Sequence, residues 1–174
     1  MPDFTIKKYW KVCSAIKENY ETLTFEEYLT KSKNKFIILR HDVDRMPENA
    51  LKIAEIEHES GIKSTYYFRT NKSVFKQEII KGIASLGHEI GYHYECMDKA
   101  AGNPEKAIKI FEDELNKFRK ICDVKTICMH GNPLTKYDNW DLWKSSDFKK
   151  FEILGEAYLS LGNDIAYFSD TGRN

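Results

Sequence analysis

Two carboxylates and an imidazole stand at the far end of an apolar run, Ile37-Ile38-Leu39-Arg40-His41-Asp42-Val43-Asp44-Arg45. In a strand successive side chains alternate faces, so Asp42 and Asp44 share one side if the extended backbone persists to the end. Two acids side by side repel unless a cation or a shared proton sits between them. One chemistry that answers this is a metal with one acid as ligand and the other as base. The other is a helix N-terminus, with Asp42 or Asp44 capping the segment that begins at Pro47.

Further polar residues follow later apolar runs in the same way: Arg69 and Asn71, His93 and Glu95, and His130. Of the five histidines, His41, His93 and His130 are the three placed to meet. His58 falls on a helix and is expected at the surface. His88 falls at a strand entrance and is expected to be a satisfied histidine at the opposite rim.

The elements that must position these side chains are legible from periodicity. Ile6, Trp10, Cys13, Ile16 and Tyr20 recur at spacings of three and four, which predicts a helix over 5–20. Thr24 with Glu27 reads as the capping box of a short second helix, followed by a polar connection over 31–35. Residues 36–39 form a continuous apolar run of the kind expected when both faces of a strand are covered. Helix and strand then alternate: a helix over 47–60 ended by Gly61, a strand over 64–68, a helix over 74–86 ended by Gly87, and a strand over 89–93. In that last strand Glu89, Gly91 and His93 share one side. Asn103 and Pro104 start another helix, whose buried stripe is Ala107, Phe111, Leu115, Phe118 and Cys122. Strands are expected over 124–129, 151–154 and 165–168.

This alternation predicts an α/β chain with a parallel sheet and outer helices. A complete eight-stranded barrel usually needs about 250 residues, and the chain has 174. The expected fold is therefore an irregular (β/α) barrel of about six or seven parallel strands, either a smaller barrel or one lacking its last units on the C-terminal side. Residues 1–34 are expected as an N-terminal helical segment packed on a single barrel domain over 35–174.

Composition narrows the partners. Lysine plus arginine and aspartate plus glutamate number 27 each, for a formal net charge of zero, which provides no footprint for nucleic acid or an anionic membrane. No apolar run approaches the roughly 20 residues of a membrane span, and the first residues lack the pattern of a secretory signal. The expectation is a soluble, cytoplasmic protein. Cys13, Cys96, Cys122 and Cys128 form no Cys-x-x-Cys pair and are expected to be free thiols, mostly buried.

The segment Ile38-Leu39-Arg40-His41-Asp42-Val43-Asp44, followed by Leu86-Gly87-His88-Glu89-Ile90-Gly91-Tyr92-His93, resembles the first two motifs of the polysaccharide deacetylases of carbohydrate esterase family 4. The order of the motifs and the intervening Thr65-Tyr66-Tyr67-Phe68 strand belong to the same likeness, which covers roughly residues 35–129. What the resemblance implies is a deformed (β/α) barrel that removes acetyl groups from sugars or polysaccharides, with a divalent metal, zinc above others. It assigns Asp42 as the base, Asp44 as the metal-binding aspartate and His93 as the first metal-binding histidine. The family's second histidine falls at Met97, and a thioether is a poor zinc ligand. The third ligand is then expected from His130, or from Glu95 or another carboxylate; the remaining alternative is a chain without metal or activity. His41 is expected as a catalytic neighbour, and Arg69, Tyr94 and Trp140 as substrate-binding residues. The family's last motif, with its histidine acid, has no counterpart before Asn174, so the chain is expected to be a truncated version of a longer protein. The rival from another class is a non-catalytic carbohydrate-binding protein on a degenerate deacetylase fold.

Overall fold

The computed structural model describes residues 5–31, 35–163 and 165–169. Residues 32–34 of the expected polar connection and the chain end at 170–174 lie outside these. Thr5 accepts from Lys8 N and caps helix α1 (Ile6–Asn19). Strand β1 (Glu21–Leu23) follows, then helix α2 (Phe25–Thr30), opened by the full capping box between Thr24 and Glu27. The apolar run breaks at Leu39 into β2 (Phe36–Ile38), which pairs with β1, and β3 (Arg40–Val43). Helix α3 (Pro47–Glu59) carries proline at its first turn. Its N-cap is Met46 in the left-handed region, without a side-chain cap, so neither Asp42 nor Asp44 is spent there.

Strand β4 (Thr65–Phe68), helix α4 (Gln77–Ser85), strand β5 (Glu89–Tyr94), the short helix α5 (Cys96–Lys99), helix α6 (Pro104–Arg119) and strand β6 (Thr126–Met129) continue the alternation. Helix α7 (Leu142–Ser145) and strand β7 (Gly155–Glu156) complete the described elements. The apolar segment 151–154 is not a strand: Phe151 ends a 3₁₀ turn and the pairing residues come just after it. Residues 165–168 form no strand either, and Phe168 is 90% exposed.

All pairings are parallel, and the larger sheet runs β3-β4-β5-β6-β7 in sequence order. The chain is thus α/β with a five-stranded parallel sheet and a two-stranded parallel pair, and no closed barrel forms among the described residues. One face of the large sheet offers Val43, Tyr66, Phe68, Ile90, Tyr92, Tyr94 and Ile127 to the helices, where they meet Ala54, Ile80, Ile83, Phe111, Leu115 and Phe118. The side chains of alternate residues turn to the other, inner face. There Phe25, Tyr67, Cys128 and Ala157 make a second small core, extended by Tyr28, Leu29, Ile38, Tyr158 and Leu161.

Gly91 shows how tightly this inner face is packed. A Cβ there would lie 2.2 Å from Cε1 of the buried Tyr67 ring, so no other residue fits without moving that ring. Below it, Glu89 accepts from Glu26 N at 2.9 Å, from the Thr65 hydroxyl at 2.8 Å and from the Thr126 hydroxyl. Burial nevertheless holds its carboxyl above the ordinary value. Among the described residues no helix is long and apolar enough to cross a membrane. All four cysteines are free, three of them buried.

Candidate metal centre

Each candidate ligand arrives at the C-terminal end of a different strand, where side chains of a parallel sheet converge. Asp44 follows β3 in a turn closed by its own N–H to Asp42 O at 3.2 Å. His93 stands on β5, opposite Cys128 in the β5–β6 register. His130 extends β6, held by its N–H to Tyr94 O at 2.8 Å and by Asn139 Nδ2 donating to its carbonyl at 2.8 Å.

Their ligand atoms form a triangle. His130 Nδ1 is 3.1 Å from Asp44 Oδ1, His93 Nε2 is 3.6 Å from the same oxygen, and the two nitrogens are 3.3 Å apart. Two ligands on a tetrahedral zinc with bonds of about 2.0–2.2 Å stand about 3.3–3.6 Å apart, so the spacing suits one ion bound by all three. Asp44 Oδ1 is buried and, among the described residues, has no hydrogen-bond partner of good geometry. Such an atom ordinarily finds a partner. His93 Nδ1 bonds Cys128 O at 3.0 Å, which fixes the ring and turns Nε2 toward His130 and Asp44.

Electrostatics agree with this arrangement. Burial lowers the His93 pKa, against the pull of Asp42 and Asp44, which favours the neutral ring that a metal needs. Burial pushes Asp44 up, but the close approach of His130 and the charges of His93, His130 and Arg69 outweigh it and leave the carboxyl below its ordinary value. These residues therefore offer a possible metal site of one carboxylate and two imidazoles.

Asp42 lies beside this triangle. Its Oδ2 accepts from Arg40 NH2 at 3.1 Å, and the same guanidinium nitrogen donates to the Tyr158 and Tyr167 hydroxyls at 2.7 Å each. Arg40 also lies over the Tyr158 ring, 4.5 Å from its centroid. Arg69 stands on the other flank, 3.8 Å from Asp44 Oδ1 and 2.5 Å from Glu95 Oε2. That pairing, with Lys99 at 3.1 Å, occupies Glu95 with cations rather than with the metal triangle.

Several expected residues sit elsewhere. His41 is turned to the helix side of β3 by the alternation that points Asp42 inward. It stacks on Tyr66 with centroids 4.5 Å apart and bonds the buried Glu57 at 2.7 Å. Tyr94 is fully buried, accepting from Trp143 Nε1 at 2.8 Å among Phe111 and its neighbours, so it cannot stack on a sugar from there. Trp140 is 40% exposed in the 3₁₀ turn after the His130 loop. Met97 is buried in the helix-side core, its N–H bonded to Asn139 Oδ1. His88 is satisfied, its ring nitrogens bonded with Ser64 N and Ala54 O.

Sequence reasoning missed Cys128, whose thiol lies near Asp42 and His93, and the Tyr158–Tyr167 grip on Arg40. Residue alternation along β6 carried a signal for the first; nothing local marked the second. A cleft of about 500 Å³ opens beside His130, lined by Asn132, Thr135, Lys136, Tyr137 and Asp138 among others. No family model matches the chain, and no curated protein matches it.

Proposed function

We propose that this protein is a metal-dependent hydrolase that removes acetyl groups, from amide or ester linkage, on a sugar or glycan. The observation that carries this reading is the triangle of Asp44, His93 and His130 with Asp42 beside it. The N₂O donor set and its spacing favour zinc. The acetyl bond and the sugar come from the resemblance of the two motifs to polysaccharide deacetylases. The sequential strand order supports a further part of the reading, that the sheet is an arc of an irregular (β/α) barrel.

A divalent ion at these three residues would lower the pKa of water and polarise a carbonyl oxygen. Asp42 takes the proton from the attacking water at the carboxylate oxygen that Arg40 leaves free. Arg40, fixed by two tyrosines, keeps the other oxygen still. Arg69 adds positive charge next to the oxyanion that forms. The cleft beside His130 presents amide, hydroxyl and ammonium groups suited to a hydroxyl-rich ligand.

The orientation of His41 favours a second reading. An imidazole facing Glu57 is not available to protonate a leaving group at the cluster, which suits a non-catalytic carbohydrate-binding protein. Acetate release from acetylated chito-oligosaccharides and acetylated xylan by zinc-loaded protein separates the two. Hydrolysis that Asp42→Asn and Asp44→Ala abolish supports the deacetylase. Sugar binding without acetate release, unchanged by chelator and by Asp42→Asn, supports the binding protein.

A further inference from the structure

Cys128 approaches the same cluster from the β6 side. It is the register partner of His93, and its Sγ, a carboxylate oxygen of Asp42 and a ring nitrogen of His93 all lie within 4.8 Å of one another. The thiol is fully buried, which argues against a free nucleophile. A soft cation is the partner that such a thiol, imidazole and carboxylate would share.

We propose that Asp42, His93 and Cys128 form a second metal position, selective for thiophilic ions, that excludes occupation of the Asp44–His93–His130 position. The exclusion follows from the shared ring. His93 Nδ1 is engaged with Cys128 O at 3.0 Å, so both positions draw on Nε2, and one nitrogen lone pair binds one ion. Occupation breaks the Cys128 S–H bond, forms a metal–sulfur bond and releases the proton to solvent; no electron changes hands. A thiolate prefers cadmium or cuprous ion, while the carboxylate and two imidazoles suit zinc. An ion at the second position also engages Asp42. The consequence for turnover rests on the deacetylase reading, whereas the binding itself does not.

Titration of the metal-free full chain with cadmium chloride tests this, read by the ultraviolet charge-transfer band of a cadmium–thiolate bond. The band is expected at one equivalent in wild type and in His130→Ala. It is expected to be absent in Cys128→Ser. Changes outside the ligand sphere already cost roughly 10- to 100-fold in metal affinity, so Asp42→Asn should weaken cadmium at least about 10-fold. Asp42 lies at the site's open side and decides the matter if Cys128→Ser fails to fold by circular dichroism. No band in wild type, a band that persists in folded Cys128→Ser, or one untouched by Asp42→Asn overturns the proposal. Cadmium binding of this pattern without any acetate release would defeat only the deacetylase; acetate release with no cadmium band would defeat only the second position.

Discussion

Asp42 and Asp44 face different partners. Asp44 meets two imidazoles at 3.1 and 3.6 Å, while Asp42 is held by a single guanidinium at 3.1 Å. Removing that grip separates positioning from metal binding. Arg40→Ala should lower kcat on the order of 100-fold, the scale of a misplaced reacting group, with zinc affinity unchanged; kinetics and a zinc-competition titration check both. Asp42, Asp44 and His93 were legible as residues because period-two alternation and a paired-acid chemistry point the same way. For His41 and Tyr94, nearness to the site in sequence is not nearness in space. The same alternation puts each on the opposite face from its neighbour, Asp42 or His93.

At the scale of elements, Glu57 ties α3 to three others. Its carboxylate accepts from Tyr9 on α1, from Tyr66 on β4 at 2.5 Å and from His41 on β3 at 2.7 Å. Burial raises its pKa, but the His41 bond and charge and the tyrosine hydroxyls outweigh this and leave it below the ordinary 4.5. A carboxyl lowered on folding adds stability that is complete above the unfolded value and is lost as pH falls through the folded one. Glu57→Gln should therefore cost about 1–3 kcal/mol at pH 7, and the gap from wild type should narrow below about pH 4. Urea midpoints at the two pH values measure it. On β5, Gly91→Ala pushes a methyl into the Tyr67 ring and should cost about 1–3 kcal/mol, seen in thermal melts, with weaker zinc binding because the same strand carries His93.

Helix ends and apolar runs made most elements readable: Thr24 and Asn103 cap the helices that sequence assigns to them. Strand β1, only Glu21–Leu23, and β7, only Gly155–Glu156, were not, since two or three residues carry no period. Tertiary pairing alone makes them strands. The apolar residues 165–168 show the converse, with a run that reads as a strand but pairs with nothing among the described residues.

At the scale of the molecule, the sheet's two ends are joined by side chains. Leu29 of α2 packs at Gly155, Gly162 N donates to Tyr28 OH at 2.9 Å, and Arg40 of β3 reaches Tyr158 and Tyr167. Phe25, 3% exposed between Tyr67 and Ala157, is the centre of this wedge. Phe25→Ala should cost about 3–5 kcal/mol and raise hydrogen exchange over 155–162 more than over α6. These contacts were illegible in sequence because their partners lie more than a hundred residues apart.

The proposed site is one ion held by side chains from the ends of three strands. Anomalous diffraction at the zinc edge, from crystals of the zinc-loaded protein, tests that directly. The expected result is a single peak about 2.0–2.2 Å from Asp44 Oδ1, His93 Nε2 and His130 Nδ1. A peak that leaves His130 unbound, or none among these three residues, would contradict it.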